Sequence, residues 1–195
     1  MQRHSHARSS AISPDAPMNK RRFILWRDSD RWMAILAVAL AAGLGVAIAL
    51  FYVVFTTIRI AGPSMEPALL DEDRVLITRG YDVPGRGDIV SAMVPDEDGR
   101  AVRVIKRVVA LGGDTVEMHG DRAYVNGERV PGGANNDEVD VWIEPFVVPD
   151  SHVYLLGDNR PLSYDSRLVG PVPIGDVRGR VVAIILPLYR FSIIH

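Results

Sequence analysis

The chain has 195 residues, 48% of them hydrophobic, with a formal net charge of −2 and no cysteine. That length suits one domain, or one domain plus an anchor. The near-neutral charge excludes bulk nucleic-acid binding, and the missing cysteine excludes disulfides and thiolate zinc sites.

Residues 1–31 read as a cytoplasmic tail, polar and disordered over 1–19 and basic and aromatic over 20–31 (KRRFILWRDSDR). Residues 32–58 carry no charge. As a helix this run is about 40 Å long, against roughly 30 Å of hydrocarbon. It is too long for the apolar region of a cleaved signal peptide, about 7–15 residues. An uncleaved transmembrane signal anchor is expected over 32–58. Seven Lys or Arg residues precede it and only Arg59 and Arg74 follow closely, so the N-terminus should be cytoplasmic and residues 59–195 outside, at the cell membrane.

The remainder reads as mainly β. Strands are expected at Val75–Thr78, Ile89–Ser91, 101–111, Phe146–Val148, Val153–Leu156 and Gly179–Leu186. Residues 115–130 read as hairpins in series, with Asn126-Gly127 as a type I′ turn. The C-terminal PLYRFSIIH is placed to reach the bilayer. The expected architecture is one N-terminal transmembrane helix and an all-β domain, 59–195, with a small hairpin-rich insertion at about 113–149.

Lysine occurs only at Lys20 and Lys106, against twenty arginines. In a strand over 101–111, one face carries Val102, Val104, Lys106, Val108 and Ala110, and the other Arg103, Ile105, Arg107 and Val109. Lys106 is then the one charged residue on an apolar face. Burial disfavours the ammonium form, and a neutral lysine can serve as a general base where arginine cannot. The plain alternative is a lysine that snorkels to solvent over its apolar stem. Ser64 sits in the irregular segment Ile60-Ala61-Gly62-Pro63-Ser64-Met65-Glu66-Pro67, just after the apolar run. Its hydroxyl needs a partner that takes its proton if it is to attack.

Four segments carry a resemblance, in order: Pro63-Ser64-Met65-Glu66-Pro67, Arg86-Gly87-Asp88-Ile89-Val90, Lys106 through Asp114, and GDNRPLSYDSR at 157–167. They resemble the type I signal peptidases, the bacterial leader peptidases that cut signal peptides with a Ser–Lys dyad. The resemblance runs from about residue 56 to the C-terminus. It implies Ser64 as nucleophile, Lys106 as base, Ser163 as the group orienting the amine, and Asp165 with Arg167 as a supporting ion pair. Asp158 would pair with Arg107 or Arg160. Ile60, Gly62, Val102 and Val104 would line the substrate site. Gly62 departs from relatives that place a serine oxyanion donor there, so only the Ser64 N–H is assigned to that role.

The implied partners are signal-peptide-bearing preproteins, cut after small-x-small (Ala-x-Ala) sites, and the lipid bilayer. No nucleic acid, cofactor or metal is expected, and oligomeric state is unassigned. Three alternatives stay open. One is a Ser–His–Asp hydrolase using His152 beside Asp150. Another is a Ser–Lys peptidase with one dedicated substrate. The third is a non-catalytic, membrane-tethered β domain that binds envelope partners.

Overall fold

The computed structural model describes residues 20–81, 83–133 and 141–194, with side chains from residue 31 onward. Residues 1–19, expected to be a tail, and residues 134–140 lie outside the described residues. The chain divides into two compact units, Met1–Ile48 and Ala49–His195.

Helix α1 runs from Lys20 to Val54. Its stretch Arg31–Val54, 24 residues, is long and apolar enough to cross a membrane, and none of the residues in its most apolar window is buried. A helix that is apolar all round and uncovered by protein has lipid as its natural solvent. The helix stops four residues before the expected end of the span. Phe55–Arg59 instead form strand β1, paired antiparallel with β2 (Arg74–Arg79). Thr56, Thr57 and Ile58 are β-branched, and β2 offers their backbone groups a ladder, so the strand wins locally.

The larger sheet adds β3 (Ile89–Pro95), β4 (Ala101–Leu111), β9 (His152–Leu156), β10 (Val172–Pro173), β11 (Val177–Leu186) and β12 (Ser192–Ile193). Its order is β1-β2-β11-β3-β4-β9-β10, with β12 on β11, and every pairing is antiparallel. The tail expected to reach the bilayer is thus partly tied into the sheet, though Leu188, Tyr189 and Phe191 stay exposed.

A second sheet, order β7-β6-β5-β8, is built from β5 (Thr115–His119), β6 (Arg122–Val125), β7 (Glu128–Arg129) and β8 (Trp142–Val147). Asn126 (φ 53°) and Gly127 (φ 80°) are both left-handed, as a type I′ turn requires. The inner face of this sheet, Val116, Met118, Ala123 and Val125, packs on Val109, Ala110, Tyr154 and Leu156 of the larger one.

A register shift against β9 falls between Val108 and Ala110. A bulge breaks the period of two. Val108, Val109 and Ala110 are all buried, although strict alternation puts Val109 on the arginine face. Between 101 and 107 the alternation survives, and that half of β4 carries Lys106.

Candidate active site

Ser64 lies in a tight turn between β1 and β2. Ile60 N–H donates to Asp73 O (2.8 Å) and Glu72 N–H returns to Ile60 O (3.1 Å), which closes the base of the turn. Met65 and Leu69 are buried beneath it. Asp73, also buried, accepts from Leu70 N–H (2.9 Å) and from Arg190 Nε and Nη2 (both 3.0 Å). The C-terminal segment therefore fixes the turn that presents the serine. Gly62 adopts φ +88°, the left-handed region that favours glycine, and donates its N–H to Asp71 Oδ1 (2.9 Å).

Lys106 is 4% exposed, and its Nζ is hydrogen-bonded to Ser64 Oγ at 2.7 Å across 42 residues of sequence. Burial pushes the lysine below its ordinary pKa. Asp165 and Asp158 oppose that shift, while Arg167 adds to it. A buried amine of this kind, in contact with a hydroxyl, can hold the proton that the hydroxyl loses on attack.

The 157–167 segment wraps behind this pair. Ser64 O accepts from Asn159 N–H (3.1 Å). Asp165 is 2% exposed and saturated: it accepts from Gly157 N–H (3.0 Å), Ser163 Oγ (2.6 Å), Arg167 N–H (3.2 Å) and Arg167 Nε and Nη2 (2.8 and 3.0 Å). Arg167 also donates from Nη2 to Ser163 O (3.2 Å) and to Arg160 O. Among the described residues the Lys106 amine has one hydrogen bond, to Ser64, and Ser163 gives its hydrogen to Asp165 instead of meeting the amine. The resemblance had placed Ser163 on the lysine. The nearby carboxylate of Asp165 is the stronger acceptor and takes that hydrogen.

Asp158 pairs in a fork with Arg107, Oδ1 to Nε at 2.8 Å and Oδ2 to Nη2 at 2.7 Å. Arg160 does something the sequence did not reveal. At 1% exposure it donates to three backbone oxygens: Gly157 (2.8 Å), Pro131 (2.9 Å) and Asp121 (3.2 Å). Burial lowers its pKa. It joins the 157–167 segment to the second sheet and to the residues that leave it. The only hint in the sequence was a glycine pair at 132–133: a Cβ on Gly132 would lie 2.6 Å from the guanidinium.

Of the four expected substrate-site residues, Ile60 packs in a cluster with Met65, Leu69 and Ile105. Val102 and Val104 belong to a different cluster, with Val90, Ala92 and Val94. Alternation along β4 separates Ile105 from Val102 and Val104, and it is Ile105 that packs beside Ile60. His152 has Nδ1 2.8 Å from the backbone oxygen of Asp150, not its carboxylate, and the Ser64 hydroxyl pairs with Lys106. Among the described residues no group of three or more His, Asp or Glu side chains is gathered as a metal ion would need.

The family described as signal peptidase, peptidase S26, matches residues 31–186. The chain is 35% identical over 135 residues to the mitochondrial inner membrane protease subunit 1 of Xenopus tropicalis, covering 68% of this chain and 70% of that one. It is 33% identical over 141 residues to signal peptidase I of Leptolyngbya laminosa (68% and 70% covered). It is 34% identical over 144 residues to signal peptidase I of Bacillus licheniformis (67% and 75% covered). These relatives and the apolar helix Arg31–Val54 are those of a single-pass membrane protein. With a match spanning residues 31–186, the chain belongs to the signal peptidase family, peptidase S26, serine endopeptidases that remove signal peptides.

Proposed function

We infer that this protein cleaves signal peptides from secreted preproteins with a Ser64–Lys106 dyad. The observation that carries this reading is the 2.7 Å contact between a buried amine of lowered pKa and the serine hydroxyl. Neutral Lys106 accepts the Ser64 proton as Oγ bonds to the scissile carbonyl carbon. The amine then gives that proton to the departing nitrogen as the C–N bond breaks, which leaves an acyl-enzyme on Ser64. Lys106 next takes a proton from water, whose oxygen attacks the ester, and returns it to Oγ as the signal peptide leaves. The Ser64 N–H has no hydrogen-bond partner among the described residues and faces the role of oxyanion donor.

Cleavage after small-x-small sites is part of the same reading. Ile60 and Ile105 pack beside the serine turn over the buried Met65 and Leu69, and apolar surroundings of this kind suit small side chains. The excess of Lys and Arg before the span supports a cytoplasmic N-terminus and a catalytic domain outside the plasma membrane. The test is incubation of the purified full chain with a preprotein carrying an Ala-x-Ala site, with mass spectrometry of the products. Wild type should release the mature protein at that site. Ser64→Ala and Lys106→Arg should not, and cleavage by either variant would remove the dyad.

A further inference from the structure

Most arginines of the β domain that lie near its core are matched to a carboxylate, as Arg86 is to Asp114, Arg107 to Asp158, Arg167 to Asp165 and Arg190 to Asp73. Two exposed arginines, Arg79 and Arg103, lack such a match among the described residues and converge with Arg178, which is only weakly matched. Arg79 at the end of β2, Arg103 in β4 and Arg178 in β11 border one cavity of about 260 Å³, and no Asp or Glu lines it. Among the described residues Arg79 and Arg103 have no hydrogen-bond or ion-pair partner, and Arg178 has a single 3.3 Å contact to Asp176. Cations brought together without compensation raise one another's energy, and an anion relieves it.

A second, independent observation lies in the same cavity. Ser91 of β3 lines it, is 1% exposed, and its hydroxyl has no hydrogen-bond partner among the described residues. A buried hydroxyl left unpaired is unfavourable unless something brings an acceptor to it. Gly179 pairs with Arg79 on one side and Ser91 on the other, which brings the arginine and the serine to the same level of the sheet. Guanidinium forks and a hydroxyl donor together match the oxygens of a phosphate.

The wall on the β1 side is Thr56 and Ile58. Thr56 is two residues beyond Val54, where the apolar helix ends. Two extended residues reach about 7 Å, so the cavity is tethered close to the level where hydrocarbon gives way to headgroups. We propose that the cavity formed by Arg79, Arg103, Arg178 and Ser91 binds the phosphate of an anionic phospholipid headgroup. The site rests on the reading of Arg31–Val54 as a membrane span and is independent of the dyad chemistry.

The test uses the full chain in non-ionic detergent, titrated by calorimetry with short-chain phosphatidylglycerol and, separately, with inorganic phosphate. The lipid should bind saturably, one per chain. Arg79→Gln and Arg103→Gln should each weaken binding at least fivefold, and the double variant should abolish it. Arg74→Gln, on β2 but outside the cavity, should leave it unchanged. Ser91→Ala should weaken the lipid yet raise the melting temperature of the lipid-free protein, which a purely surface attraction would not do. No saturable binding, or equal binding by the double variant, would overturn the site. Inorganic phosphate binding as tightly as the lipid, with the same arginine dependence, would overturn the lipid assignment. So would competition by an acidic peptide but not by lipid. Ser64→Ala should bind lipid normally, so loss of cleavage and loss of this site are read separately. A chain that stays in the aqueous fraction would remove the span itself.

Discussion

A methyl group placed on Gly157 would lie 2.5 Å from the backbone oxygen of Ser64, and 2.2 Å from Ser163 Oγ. The glycine is therefore the spacer that lets the 157–167 segment close from behind on Ser64, the proposed nucleophile. Gly157→Ala should displace the serine from its 2.7 Å contact with Lys106. An ångström of misplacement is worth about 10²-fold in rate. We expect kcat to fall by about that factor, with a stability loss of about 1–3 kcal/mol, measured by cleavage kinetics and urea unfolding of the same preparation. Unchanged kcat would show that the loop yields instead.

Lys106 makes a prediction about stability whose sign is set by its burial. Its folded pKa lies below its unfolded value, so the unfolded chain binds the extra proton between the two. Stability should rise with pH across that window and level off above the ordinary lysine value of 10.5. Lys106→Met removes the buried amine. It should be more stable than wild type at neutral pH, on the order of 1–4 kcal/mol, and the gap should close as pH approaches 10.5. Chemical denaturation at several pH values measures it. A gap that does not depend on pH would show that the amine is not the cause.

Activity should follow the same proton from the other side. The acid limb of kcat/KM should report loss of the neutral amine. Asp165 opposes the burial shift on Lys106, so Asp165→Asn should move that limb to lower pH. The same change leaves the Arg167 cation buried and unmatched, at a stability cost of about 3–5 kcal/mol. A variant that loses stability without moving the limb would reduce Asp165 to scaffolding.

Arg190 and Asp73 offer a test far along the chain from the serine. Removing the guanidinium with Arg190→Ala leaves Asp73, 1% exposed, with only a backbone donor. We expect about 3–5 kcal/mol of destabilisation and faster proteolytic nicking of residues 60–73. Asp73→Asn combined with Arg190→Ala should recover part of the loss, because the unpaired charge is then gone.

Several of these features were legible before the structure. A lysine among valines in an arginine-rich chain marked itself, and Asn126-Gly127 announced its turn through the one backbone conformation those residues share. What stayed hidden was non-local. The end of the apolar run could not be placed without knowing that β2 was there to pair with Phe55–Arg59. The bulge after Val108 comes from the fit to β9 and not from any residue preference, and it buried a valine assigned to the other face. Ser163 was placed on the amine because the geometry of Asp165 behind it could not be read from a string of turn residues.

The three carbonyls around Arg160 have one more implication. A side chain that grips main-chain oxygens asks nothing of the amino acids that supply them. Residue 131 can vary as long as the path of the chain is kept, and salt has little purchase on a contact so enclosed. The smaller sheet is thus fastened by a clip of standard shape. A replacement hairpin grafted between Asp114 and Val148 should seat if it presents oxygens at the same points and keeps an apolar inner face in place of Val116, Met118, Ala123 and Val125.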